Sequence, residues 1–127
     1  MSVQSIVSVS AFVDEAATVT FGVCHGQAGE WKLESITLVP SAAISEDGSN
    51  KFVIAVTQGS DTVATSYDTS ASGNVLAAGV KQALTMSTTA GSAMEFGSTD
   101  VLKFVATKTG TATLTANIIC TFSKARV

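Results

Sequence analysis

The sequence predicts an all-β chain: a single antiparallel β-sandwich domain over residues 1–127, of about eight strands, with the jelly roll as its expected topology. Three observations carry this. Apolar and polar residues alternate at period two in segment after segment, the pattern of a strand with one face buried. Turn-forming residues recur roughly every 8–15 positions. The remaining composition is Ala and Val scattered among Ser and Thr, with only 13% charged residues.

The closing stretch, Phe96 to Lys124, is the clearest. Leu102, Phe104 and Ala106 fall at period two against Lys103 and Thr107. Leu114, Ala116, Ile118, Cys120 and Phe122 then alternate with Thr113, Thr115, Asn117, Thr121 and Ser123. Between them Lys108-Thr109-Gly110-Thr111 has the composition of a turn, and Gly110 is free to take positive φ.

From the N-terminus, Ser2–Val13 sets Val3, Ser5, Val7, Val9, Ala11 and Val13 against Gln4, Ile6, Ser8, Ser10 and Phe12. Asp14-Glu15-Ala16 breaks the pattern as a turn, and Ala17, Val19, Phe21 and Val23 form the next apolar row. Cys24 to Gly29 reads as a loop. Trp31–Val39 is the third strand, ended by the sole proline, Pro40. Ser41–Asn50 is polar, and its Asp47-Gly48 pair signals a turn.

Phe52, Ile54 and Val56 mark the fourth strand, and Val63, Thr65 and Tyr67 the fifth. Asp68–Gly79 is a long connection with no charge after Asp68. Val80–Ser87 alternates through Gln82, Leu84 and Met86 and reads as the sixth strand. Val75–Leu84 also fits helical spacing, but Gly79 and the β-like flanks argue against a helix. Trp31, Phe52, Ile54, Leu84, Leu102, Phe104, Leu114, Ile118 and Phe122 are the expected core.

Composition narrows the function classes. With 127 residues the chain can bury one core, and no apolar run approaches the ~20 residues of a membrane helix. A formal charge of −3 with seven dispersed Lys and Arg argues against a nucleic-acid partner. Met1–Val13 lacks the cationic start and cleavage site of a secretory signal, and Met1-Ser2 reads as the start of an intact cytoplasmic product. Cys24 and Cys120 therefore read as buried free thiols, with a disulfide between them as the alternative.

No catalytic constellation emerges, and the expected catalytic, cofactor and metal residues are none. His25, the one histidine, stands beside Cys24, but neighbours in a strand point to opposite faces, so a Cys-His pair is disfavoured. One His and two distant Cys fall short of a zinc set. Glu46-Asp47-Gly48-Ser49-Asn50 superficially suggests a calcium loop but lacks the alternating ligands and terminal Glu, so a solvated turn is expected. Asp14 and Glu15 give no support for a glycosidase pair. Trp31 and Tyr67 could form a sugar-stacking platform, although Trp31 in an alternating strand reads as core.

Three segments together resemble small β-sandwich structural proteins of tailed bacteriophages: WKLESITLVPSAAISEDGSNKFVIAV, SASGNVLAAGVKQALTMS and FGSTDVLKFVATKTGTATLTANIICTFS. The likeness covers most of Trp31–Ser123 and lies in fold and punctuation. It implies a non-enzymatic virion protein made in the host cytoplasm, first of all a capsid decoration (cement) protein that binds the major capsid protein outside the head and stabilises it. A fibre or receptor-binding module is the alternative, and a carbohydrate-binding module the second. The resemblance further implies a homotrimer, without cofactor, nucleic acid or membrane. Residues 1–13 are the candidate for an exchanged or lattice-contacting strand; their simpler role is an edge strand of their own sandwich.

Overall fold

The computed structural model describes residues 3–12, 17–22, 31–97 and 100–125, with side chains over 31–97 and 100–123. Its strands are β1 (Val3–Phe12), β2 (Ala17–Gly22), β3 (Trp31–Pro40), β4 (Lys51–Gln58), β5 (Asp61–Asp68), β6 (Gln82–Ala83), β7 (Glu95–Phe96), β8 (Val101–Thr109) and β9 (Ala116–Ala125). All pairings are antiparallel. One sheet has the order β1-β9-β3-β6, with β7 also on β3, and the other has the order β2-β8-β4-β5. The expected turn Asp14-Glu15-Ala16 and the loop Cys24–Gly29 lie outside the described residues.

Seven strands are long, one fewer than the sequence pattern counts. The difference is Val80–Ser87, which shrinks to the two residues of β6 because the segment changes sheets. Gln82 and Ala83 pair with β3, and the Leu84 amide donates to the Ile36 carbonyl (2.9 Å). One residue later the chain is hydrogen-bonded to β5: Thr65 N–H donates to Thr85 O (2.8 Å) and Ser87 N–H to Val63 O (2.9 Å). Leu84 is buried at this crossing. The β8–β9 link makes a similar move, leaving one sheet at Gly110 and entering the other at Ala116.

Buried side chains of both sheets form one cluster. β3 contributes Trp31, Leu33, Ile36 and Leu38; β9 contributes Ala116, Ile118, Cys120 and Phe122. From the second sheet come Phe52, Ile54 and Val56 of β4, Val63, Ala64 and Tyr67 of β5, and Leu102, Phe104 and Ala106 of β8. All nine residues expected in the core are buried. Phe96 and Phe122 meet edge to face, with centroids 5.5 Å apart and an interplanar angle of 77°, a favoured aromatic geometry.

Two irregularities interrupt simple alternation. On β3 the inward set changes from Trp31 and Leu33 to Ile36 and Leu38, because the β3–β9 register shifts between Leu33 and Ser35. On β5 the register with β4 shifts twice. Each bulge adds an unpaired residue, which flips the faces that follow. Val63 and Ala64 are consequently both buried, and Thr65, aligned by sequence with Val63 and Tyr67, is exposed.

Cys120 is a free thiol at zero exposure. Burial pushes its pKa up to about 12. The neutral thiol is thus the folded form. Its contribution to stability is complete below the ordinary thiol pKa and is lost as pH rises through that range towards 12. In a Cys24→Ser background, a thiol reagent at neutral pH should label Cys120 at least about 100-fold more slowly in buffer than in denaturant. Equal rates would mean that β9 opens readily.

Candidate functional site

The outward-facing candidate is one end of the molecule, where the loop between β3 and β4 meets the loop after β5. Ile44 and Leu76 exchange two backbone hydrogen bonds, each 2.9 Å, and both side chains are buried. Gly79 N–H donates to Pro40 O (2.7 Å), and Gly73 N–H donates to Glu46 Oε1 (2.7 Å). These buried anchors turn their neighbours outward. Ala42, Ala43, Val75, Ala77, Ala78 and Val80 are exposed, Val75 at 47% and Val80 at 57%. The sequence signal was the connection Asp68–Gly79, without charge after Asp68; the pairing of Ile44 with Leu76, distant in sequence, could not be read from it.

The base of this end is tied by hydrogen bonds. Thr69 is fully buried and exchanges bonds with Phe52: Thr69 N–H donates to Phe52 O, and Phe52 N–H donates to Thr69 Oγ1, each at 3.0 Å. Tyr67 O–H donates to Asn74 O (3.0 Å), and burial raises the phenol's pKa. Asp68 Oδ1 accepts from the Ser70 hydroxyl (2.7 Å) and amide (2.9 Å), while Oδ2 pairs with Lys51 Nζ at 3.2 Å. The Ser70 hydroxyl, then its amide, then Lys51 hold the Asp68 pKa below the usual carboxylate value. This surface pair adds little stability; it pins the loop to β4.

The acidic turn behaves as a structural turn. Asp47 Oδ1 accepts from Ser49 N–H (2.8 Å), and Oδ2 accepts from Asn50 Nδ2 (3.0 Å). These bonds, the one from Asn50 first, lower the Asp47 pKa. Glu46 is turned towards Gly73, so the adjacent carboxylates diverge and do not converge on a cation. Among the described residues no group of three or more His, Cys, Asp or Glu could hold a metal ion. Asn50 Oδ1 accepts from both the amide (2.8 Å) and hydroxyl (2.9 Å) of Thr111, tying this turn to the β8–β9 link. An open concavity of about 250 Å³ lies beside this tie, lined by Ile44, Asp47, Asn50 and Thr111 among others.

A second open concavity, about 390 Å³, is lined by Thr62, Thr65, Thr85, Met86, Ser87, Thr88 and Thr89, where the chain passes between sheets. Hydroxyls line it and no titratable group does. Trp31 and Tyr67, the possible stacking platform, are 3% and 7% exposed. Cys24, His25, Asp14 and Glu15 lie outside the described residues. No protein-family model, curated protein or solved structure matches the chain.

Proposed function

We propose that the protein is a β-sandwich of jelly-roll type that serves as a non-enzymatic structural component of a virion, bound as a decoration protein to the major capsid protein on the outside of a phage head. The observation that carries this reading is the strand order. If β1 to β6, β8 and β9 are taken as eight successive strands, one sheet runs 1-8-3-6 and the other 2-7-4-5. Two interleaved Greek keys give that order, and the architecture recurs in viral capsid and lectin domains. The likeness of most of Trp31–Ser123 to small β-sandwich structural proteins of tailed bacteriophages, of head-decoration and fibre type alike, agrees with a virion role.

The uncharged end formed by Ala42, Ala43, Val75, Ala77, Ala78 and Val80 suits a permanent protein contact: its backbone is already hydrogen-bonded, so docking orders little further. A sugar-binding role is less well supported. Among residues 31–97 and 100–123 every aromatic ring is buried, which leaves no exposed platform for a pyranose there. The homotrimer implied by the resemblance is part of the proposal, since cyclic symmetry would match a three-fold position on a head.

The test is addition of purified protein to heads that lack it, followed by electron microscopy and sedimentation. Wild-type protein should decorate the heads and raise their resistance to heat. The double variant Val75→Asp/Val80→Asp should keep its circular dichroism spectrum and bind at least about tenfold more weakly. Undecorated heads with wild-type protein would reject the decoration role, and undiminished binding by the variant would move the contact elsewhere.

A further inference from the structure

The β3–β4 turn carries an inference that does not rest on the virion reading. Asp47 is the one Asp or Asn in the chain that a glycine follows. Ring closure at such a pair joins the backbone nitrogen of the next residue to the side-chain carboxyl carbon, and glycine obstructs that attack least. Gly48 is exposed, and no atom beyond its chain neighbours lies within 4 Å of the place a Cβ would take. Asp61, Asp68 and Asp100 are followed by Thr62, Thr69 and Val101, whose branched side chains crowd the nitrogen. What opposes the reaction at Asp47 is the hydrogen bonding of the turn. Asp47 Oδ1 accepts from Ser49 N–H (2.8 Å), Oδ2 from Asn50 Nδ2 (3.0 Å), and the Asp47 carbonyl from Asn50 N–H (3.2 Å). These donors favour the carboxylate, whereas ring closure expels a hydroxyl and needs the neutral acid. Asn50 is itself fixed from across the molecule, since its Oδ1 accepts from the Thr111 amide (2.8 Å) and hydroxyl (2.9 Å).

We infer that Asp47–Gly48 is a site of spontaneous isomerisation to isoaspartate, and that the clasp of Thr111 on Asn50 holds the reaction back in the folded protein. The Gly48 nitrogen loses its proton and bonds to Asp47 Cγ as the C–OH bond breaks, which releases water and leaves a succinimide. Water then adds at the former main-chain carbonyl of Asp47. Breaking that carbon's bond to the Gly48 nitrogen leaves the chain running through the side-chain carboxyl carbon. Water lost is water regained, no oxidant or reductant is required, and the main chain gains one methylene. The new carboxylate hangs directly from the α-carbon, so Asn50 Nδ2 loses the acceptor that Oδ2 provided. The clasp itself depends on Gly110, where a Cβ would overlap Asn50 Oδ1. Glu46, next to the reacting residue, accepts from Gly73 N–H (2.7 Å), so the lengthened chain also disturbs the contact of this turn with the loop after β5.

The test is ageing of the full chain at physiological temperature and mildly acidic pH, with isoaspartate located by peptide mapping and circular dichroism as the control for folding. Wild type in buffer should convert Asp47 at least about tenfold more slowly than in denaturant, where only the local sequence acts. Thr111→Val and Asn50→Ala leave the Asp47–Gly48 pair intact. Each should convert at least about threefold faster than wild type in buffer, and at the wild-type rate in denaturant. If Asn50→Ala loses the native spectrum, Thr111→Val decides. Phe104→Ala, which removes more stability but leaves the clasp, should age in buffer as wild type does. Absence of isoaspartate at Asp47 in denaturant overturns the site, and equal wild-type rates in buffer and denaturant overturn the protection. Unchanged ageing of either folded clasp variant, or equal acceleration by Phe104→Ala, overturns the role of the clasp.

Discussion

Replacing Phe104 by Ala is expected to cost about 3–5 kcal/mol of folding stability, the range for deleting a large buried aromatic whose site cannot collapse. Phe104 has zero exposure at the middle of β8, which lies between β2 and β4. Its ladder partners are Val19 and Val56, so β8 cannot shift to fill the void without disturbing two pairings. Urea denaturation should show a lower midpoint at unchanged slope. Thr107→Ala, on the exposed face of the same strand, should stay within about 0.5 kcal/mol. A loss below about 1 kcal/mol for Phe104→Ala would contradict the assignment of this face to the core.

The second large effect is expected at Gly110. Its φ is +73°, in the left-handed region that costs other residues about 1–2 kcal/mol. A Cβ there would also overlap the Ser49 carbonyl oxygen and the Asn50 side-chain oxygen, the group that receives both Thr111 donors. Relief requires moving the β3–β4 turn away from the β8–β9 link. Gly110→Ala should therefore cost about 2–4 kcal/mol, conformational strain and lost loop bonds together. Gly59 is the control: its φ is +60°, but no neighbouring atom lies within 4 Å of the place a Cβ would take, so Gly59→Ala should cost only about 1–2 kcal/mol. Equal losses at the two sites would show that the Ser49–Asn50 contact contributes nothing.

Those two residues also mark where sequence reasoning worked and where it stopped. Phe104 was legible because strand periodicity is local: once residues 101–107 alternate, the apolar set has to face a core. Gly110 was legible as a turn residue, but not as the point where two links distant in sequence touch. Val80–Ser87 misled for a related reason. Its alternation is real, with Leu84 inward, yet its hydrogen bonds divide between β3 and β5.

The candidate contact surface follows the same division. Low charge, the period-two alternation of the strands and the charge-free run after Asp68 were all properties of the chain itself, and the alternation sufficed for the all-β class and for the core. Tertiary structure alone decided where the inward set of β3 changes past its bulge, that Thr65 turns outward past another, and that Ile44 anchors Leu76 to present Val75 and Val80. The physical reason is that side-chain alternation records the period of a strand but not its register. Register is set by the neighbouring strand's hydrogen bonds and bulges, and one residue of shift exchanges inside for outside.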